Sequence, residues 1–213
     1  MDAGTDELRD AHNVLAEFYA EHLSGVLEKS PVERAVLDLF CELTLAADLG
    51  GEVADVGCGT GRLLPYLAGR GVRPRGVDLA PGMVEVARRD HPGFPYEVAD
   101  LRALPFADAS LAGVVCWYSL IFLPPEARPV AFAELARVVR PGGYLATAFK
   151  DGDGEHRRGG RTVGVEFDAY WIGSREVAGH LVAAGFTVVF QGGRPREEGE
   201  STPQGYLIVR RDA

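Results

Sequence analysis

The stretch VADVGCGTGRLLPYL, Val53 to Leu67, sets glycines at alternate positions, Gly57, Gly59 and Gly61, between an apolar run and a helix-like segment. Glycine has no Cβ, so it adopts φ > 0 without strain and lets the backbone approach another group closely. Such a run is either a plain tight turn or a loop shaped around a ligand. The sequence on either side decides between them.

Downstream, strands and helices alternate. VADVG (53–57) reads as a short buried strand followed by a helix over 60–69, and RGVDL (75–79) as a second strand followed by a helix that Pro81 opens. FPYEVAD (94–100) and LAGVVCWYSL (111–120) read as strands three and four. A helix then runs from Pro124 to Arg140, where Pro141-Gly142-Gly143 stops it, and YLATAFK (144–150) is strand five. This alternation implies a mainly parallel sheet with helices on both faces. The end of the chain breaks the pattern. A helix capped by Ser174 and ended by Gly185 leads into FTVVF (186–190) and YLIVR (206–210), which are joined without a helix and so pair as an antiparallel hairpin.

Upstream, residues 6–28 carry an imperfect helical stripe, and a second helix runs from Ser30-Pro31, with Glu33 completing a capping box, to Asp48. Residues 151–170 read as a Gly-rich flexible loop followed by an extended segment.

Ligands of open parallel sheets bind beyond the carboxyl ends of the strands, and the glycine loop lies at such an end. There the amides of Gly57 and Gly59 can approach a ligand, and a helix starting near Thr60 presents unpaired N–H groups. Asp78 ends the second strand, where a carboxylate can accept ribose hydroxyls. A dinucleotide and another adenosine ligand both satisfy this much. Spacing separates them: the pattern is G-x-G-x-G with Asp55 two residues ahead, not the dinucleotide fingerprint G-x-G-x-x-G.

At these residues the chain resembles the class I S-adenosylmethionine (SAM)-dependent methyltransferases, most of all their bacterial small-molecule branch. The similar segments are VADVGCGTGRL (53–63), GVDLAPGMVEVAR (76–88), VADLRALPFADASLAGVVCWYSLIFL (98–123) and ELARVVRPGGYLATAF (134–149). The resemblance implies a single Rossmann-like α/β domain over 1–213, with a seven-stranded mixed sheet in the order 3-2-1-4-5-7-6 and strand 7 antiparallel. It implies SAM as cofactor and S-adenosylhomocysteine (SAH) as product. Asp55, Gly57 and Gly59 would line the methionine end; Asp78 would take the ribose hydroxyls, with Leu79 and Met83 near the adenine. Asp100 and Leu101 would address the adenine amino group and ring, and Cys116, Trp117 and Ser119 would border the sulfonium. Tyr19 would reach the methionine carboxylate.

Composition narrows the partners. The net charge is −9, and residues 1–50 hold 11 Asp or Glu against three Lys or Arg, a surface that repels phosphate backbones. No apolar run approaches a membrane span, and the acidic start is unlike a secretory signal. Cys41, Cys58 and Cys116 lack metal-ligand spacing and read as packing thiols in a reduced, cytoplasmic setting. Nucleic acid and membrane are thus not the expected partners, and the resemblance implies a small-molecule methyl acceptor; no oligomeric state follows.

Methyl transfer needs alignment and exclusion of water, and a base only where the acceptor must lose a proton. His12, His22 and His156 are the candidate bases; the first two, ten residues apart on a helix, point in different directions and form no pair. No catalytic residue is assigned. Residues 1–48 and 151–173 are the material expected to cover the acceptor site. A protein or RNA methyltransferase, or a SAM-binding protein without methyl transfer, are the other readings.

Overall fold

The computed structural model describes residues 3–213. Helices α1 (Ala3–His22) and α2 (Pro31–Ala46) precede β1 (Val53–Val56), α3 (Leu64–Gly69), β2 (Pro74–Asp78), α4 (Pro81–Asp90), β3 (Tyr96–Val98) and β4 (Leu111–Trp117). There follow α5 (Arg128–Val138), β5 (Val139–Lys150), β6 (His156–Gly159), β7 (Phe167–Tyr170), α6 (Ser174–Ala183), β8 (Phe186–Arg194) and β9 (Gln204–Arg211). Seven strands form one sheet in the order β3-β2-β1-β4-β5-β9-β8. Pairing is parallel from β3 to β5, and β9 runs antiparallel to both β5 and β8. Counted within this sheet, β8 and β9 are the sixth and seventh strands, so the order is the expected 3-2-1-4-5-7-6.

The two faces are filled by alternation along each strand. From β4, Val114 and Cys116 pack toward Phe132 and Leu135 of α5 and Val177 and Leu181 of α6. Val115 and Trp117 pack toward Val36, Leu37 and Phe40 of α2. A smaller cluster joins Ala11, Leu15 and Ala16 of α1 to Ala80, Met83 and Val86, so that α1 lies over α4.

Several local expectations give way. α1 stops at His22, and Gly25 turns the chain at φ +71°. Ser30 and Glu33 form no capping box: the Ser30 hydroxyl donates to the Val26 carbonyl, and Glu33 turns into the protein. The helix after β1 starts at Leu64, not Thr60, because Gly57, Gly59 and Gly61 at φ +76°, +53° and +77° cannot be helical. The helix expected from Pro124 is regular only over Arg128–Val138. Ser174 does not cap α6; its N–H instead donates to Asp151 Oδ1 at 2.9 Å. Residues 156–170 are not a loose loop, since β6 and β7 pair as an antiparallel ribbon with His156 opposite Tyr170.

Candidate active site

A cavity of about 880 Å³ opens at the carboxyl ends of β1, β2 and β4, bounded by α1, the start of α2, the β6–β7 ribbon and the β8–β9 turn. Its volume is near the upper end of the range for small-molecule sites.

The glycine loop forms one wall. Its amides are not free as expected: Gly57 and Cys58 N–H both donate to the Val77 carbonyl at 2.8 and 3.0 Å. The Gly59 N–H donates to Asp78 Oδ2 at 2.8 Å. The glycines therefore act by shape. A Cβ on Gly57 would lie 2.3 Å from that of Ser119, and one on Gly61 2.7 Å from the Tyr96 hydroxyl. A Cβ on Gly59 would meet nothing within 4 Å. Gly59 lines the cavity, so its bare backbone leaves that space open.

Asp55 shares the face of Val53 and is 1% exposed, with neither carboxylate oxygen hydrogen-bonded within the protein. Burial pushes its pKa up to about 7, against the opposing pull of Arg62. Arg62 also lines the cavity, and its buried Nη1 has no hydrogen-bond partner either. Buried polar atoms of a charged group left without partners are costly, so an unsatisfied carboxylate and an unsatisfied guanidinium nitrogen on one wall fit a zwitterion. The signal for Arg62 was present in GTGR, but its role needed the geometry.

Asp78 accepts N–H groups from Gly59 and Ala80, the latter at 2.9 Å, and burial raises its pKa against these donors. Leu79, Met83, Asp100, Leu101, Trp117 and Ser119 all border the cavity. Asp100 turns back on its own loop, accepting from the Arg102 side chain at 2.6 Å. Ser119 donates to the Val56 carbonyl at 2.8 Å and holds the end of β4 against β1.

Cys116 does not reach the cavity. Strand alternation sends it to the α5–α6 face, fully buried, with Sγ 2.9 Å from Ser119 Oγ and its pKa pushed up to about 12 by burial.

Helix α1 supplies His12 and Tyr19, with ring centroids 5.8 Å apart. His12 Nδ1 lies 2.9 Å from the Leu8 carbonyl, and burial lowers the pKa of the ring. Burial and the Asp78 charge raise that of Tyr19. The helix is tied down on three sides. Asn13 Oδ1 accepts the Gly82 N–H at 2.8 Å, Thr5 Oγ1 accepts from Arg102 at 2.7 Å, and Glu7 accepts from Arg158 of β6 at 2.7 Å. His22, by contrast, stacks on Phe18 and is exposed, and His156 pairs with Asp168 at 2.7 Å.

Glu33 of α2 forms the opposite wall. It is 3% exposed and accepts from Trp117 Nε1 at 3.0 Å and the Tyr118 hydroxyl at 2.7 Å. Trp117 and Tyr118 are consecutive, so a regular strand would aim them at opposite faces. Tyr118 sits instead at φ +59°, a strained value for a bulky residue, and both side chains reach Glu33. None of this was visible in the sequence, where Glu33 read as a helix cap.

Residues 53–143 match a family profile described as a methyltransferase domain. The chain is 40% identical over 96 residues to a malonyl-[acyl-carrier protein] O-methyltransferase from Serratia marcescens, covering 45% of this chain and 37% of that one. It is 36% identical over 115 residues to a demethylmenaquinone methyltransferase from Beutenbergia cavernae, covering 54% and 45%. It thus spans well under two thirds of these relatives' lengths. In fold it is similar to a magnesium protoporphyrin IX methyltransferase from Synechocystis PCC 6803, with a TM-score of 0.72, 20% identity and coverage of 100% and 99%. The segment over 53–143, which contains the glycine loop and Asp78, is thus similar to a methyltransferase domain, and the whole sheet shares its fold with that solved structure.

Proposed function

We propose that the protein transfers the methyl group of SAM to a small-molecule acceptor. The observation that carries this is the buried Asp55 carboxylate and the buried Nη1 of Arg62, neither of them hydrogen-bonded within the protein, on the cavity wall beside Gly59. They complement the α-ammonium and α-carboxylate of an amino-acid end, and no dinucleotide carries that combination.

Asp55 would accept from the ammonium and Arg62 would donate to the carboxylate, with Tyr19 facing the same space. Asp78 keeps lone pairs for ribose hydroxyls beyond those bound to Gly59 and Ala80, since each carboxylate oxygen accepts more than one bond. Leu79, Met83 and Leu101 offer an apolar bed for adenine, and Asp100 an acceptor at its edge. SAM, when bound, supplies a methyl group on a positively charged sulfur, which leaves as neutral SAH once the acceptor attacks. What this chain contributes is placement and dryness: Ser119 fixes the β4 end, while α1 and the β6–β7 ribbon close over the cavity. The small-molecule nature of the acceptor is supported by the size of the cavity and by the substrate in one relative's name, demethylmenaquinone.

Calorimetry with SAM, SAH and NAD tests the reading. Micromolar binding of both sulfur ligands without NAD binding is expected, and tighter binding of NAD than of either would overturn it.

A further inference from the structure

Beyond the amino-acid end, toward α2, the cavity changes character. Lys150, Gln204 and Arg194 stand in register across the adjacent ends of β5, β9 and β8. Two residues back, Ala148 and Tyr206 pack on the α2 face, so the period of the strand turns Lys150 and Arg194 to that same face. Three aromatic residues, Trp117, Tyr118 and Trp171, border this end of the cavity.

Several of the charges here are matched. Arg194 makes a bidentate pair with Glu200, both distances 2.6 Å, and lies 3.9 Å from Glu33. Arg157 pairs with Glu155, and Asp168 with Arg158 and His156. Lys150 differs: no carboxylate of the described residues lies within ion-pair distance of its ammonium, which sits 4.6 Å from the centre of the Trp171 ring. Glu200 acts on it only at longer range, and burial lowers its pKa. A half-buried ammonium held over an aromatic ring and facing a cavity retains donors for an anion.

We propose that the methyl acceptor is a planar molecule bearing an anionic oxygen, which pairs with Lys150 while its body lies among Trp117, Tyr118 and Trp171. The inference rests on the methyltransferase reading and deepens it by naming the acceptor class. Neutral or cationic acceptors would leave Lys150 desolvated and without a counter-charge, so the site selects against them.

The test is calorimetry on the full chain saturated with SAH, using 2-naphthoate and its neutral isostere 2-naphthamide as probes. The carboxylate should bind about 10- to 100-fold more tightly than the amide, the scale of a charge-assisted hydrogen bond. In Lys150→Met the preference should fall to within about twofold with SAH affinity unchanged, and in Lys150→Arg it should persist. Equal binding of the two probes, no binding of either, or a preference that survives in Lys150→Met would overturn the proposal. Failure to bind SAH would instead overturn the methyltransferase reading, so the two are told apart.

Discussion

The cavity wall beside the glycine loop draws its residues from a few short runs, 55–62, 78–83 and 100–101, each at the carboxyl end of a parallel strand or in the loop or first helical turn after it. The wall beside α2 gathers Glu33, Trp117, Lys150, Trp171, Arg194 and Glu200 from helix, strand ends and turns scattered along the chain. The first wall is shaped by backbone conformation and leaves the Asp55 carboxylate and Arg62 Nη1 without hydrogen-bond partners. The second is shaped by side chains that satisfy one another, Glu33 with Trp117 and Tyr118, Arg194 with Glu200, and leaves the Lys150 ammonium with no carboxylate of the described residues at ion-pair distance. A wall built of local backbone is suited to one invariant ligand. A wall built of distant side chains can be changed residue by residue to suit another.

If that contrast is right, the largest effect comes from Gly59→Val. The new side chain has room in the fold but projects into the cavity, so SAH binding should fall below detection. The left-handed φ of +53° adds roughly 1–2 kcal/mol of strain, so the variant should remain folded at a modestly lower Tm. Measurable SAH affinity in a folded Gly59→Val would break the first half of the comparison.

Asp55→Asn keeps the shape and removes the charge, and should weaken SAH binding by about 10- to 100-fold. It also carries a pH signature. Because burial lifts the folded-state pKa of Asp55 to about 7, the ligand-free protein binds a proton here that the unfolded chain releases near pH 4. The stability this group contributes is full below that lower value and is lost as pH rises through the folded pKa. The ligand's ammonium needs the ionised carboxylate, so SAH affinity should rise from pH 6 to 8 as Asp55 ionises, and Asp55→Asn should flatten that profile. Calorimetry and melting curves across the interval check both; an unchanged pH profile in the variant would remove Asp55 from the ammonium site.

Glu33→Gln sharpens the other half. Glutamine turns one of the two acceptor oxygens into a donor, so the Tyr118 hydroxyl must switch from donating to accepting and the charge that Trp117, Tyr118 and Arg194 face is lost, at a cost of about 1–3 kcal/mol in stability. SAH affinity should stay within about twofold. A large loss of SAH binding with unchanged stability would mean that the two walls are not separate in function.

The resemblance carried the strand order, and the alternating pattern with its final strand pair carried the parallel sheet and the antiparallel edge, because both depend on hydrophobic period and turn chemistry within a few residues. The cavity position followed too, since a glycine run and Asp78 at strand ends put a ligand at the carboxyl edge whatever packs around it. Helix ends were less legible. Ser30 and Ser174 both look like caps in sequence, but Ser30 back-bonds within its own turn and Asp151 takes the α6 position from a distance.

Sequence by itself determined the class of sheet, the glycine loop and the place of the carboxylate at the end of β2, because these are consequences of local backbone preference. Only the tertiary structure decided that the loop amides bind Val77 and Asp78, that Cys116 turns away while Trp117 turns in, and that Glu33 is buried against Trp117 and Tyr118. It alone brought Lys150 to the same edge as Arg194 and Trp171. The physical reason is that whether a charged side chain is buried, and with what partner, depends on which strands are neighbours and how they register, and no window of sequence contains that information.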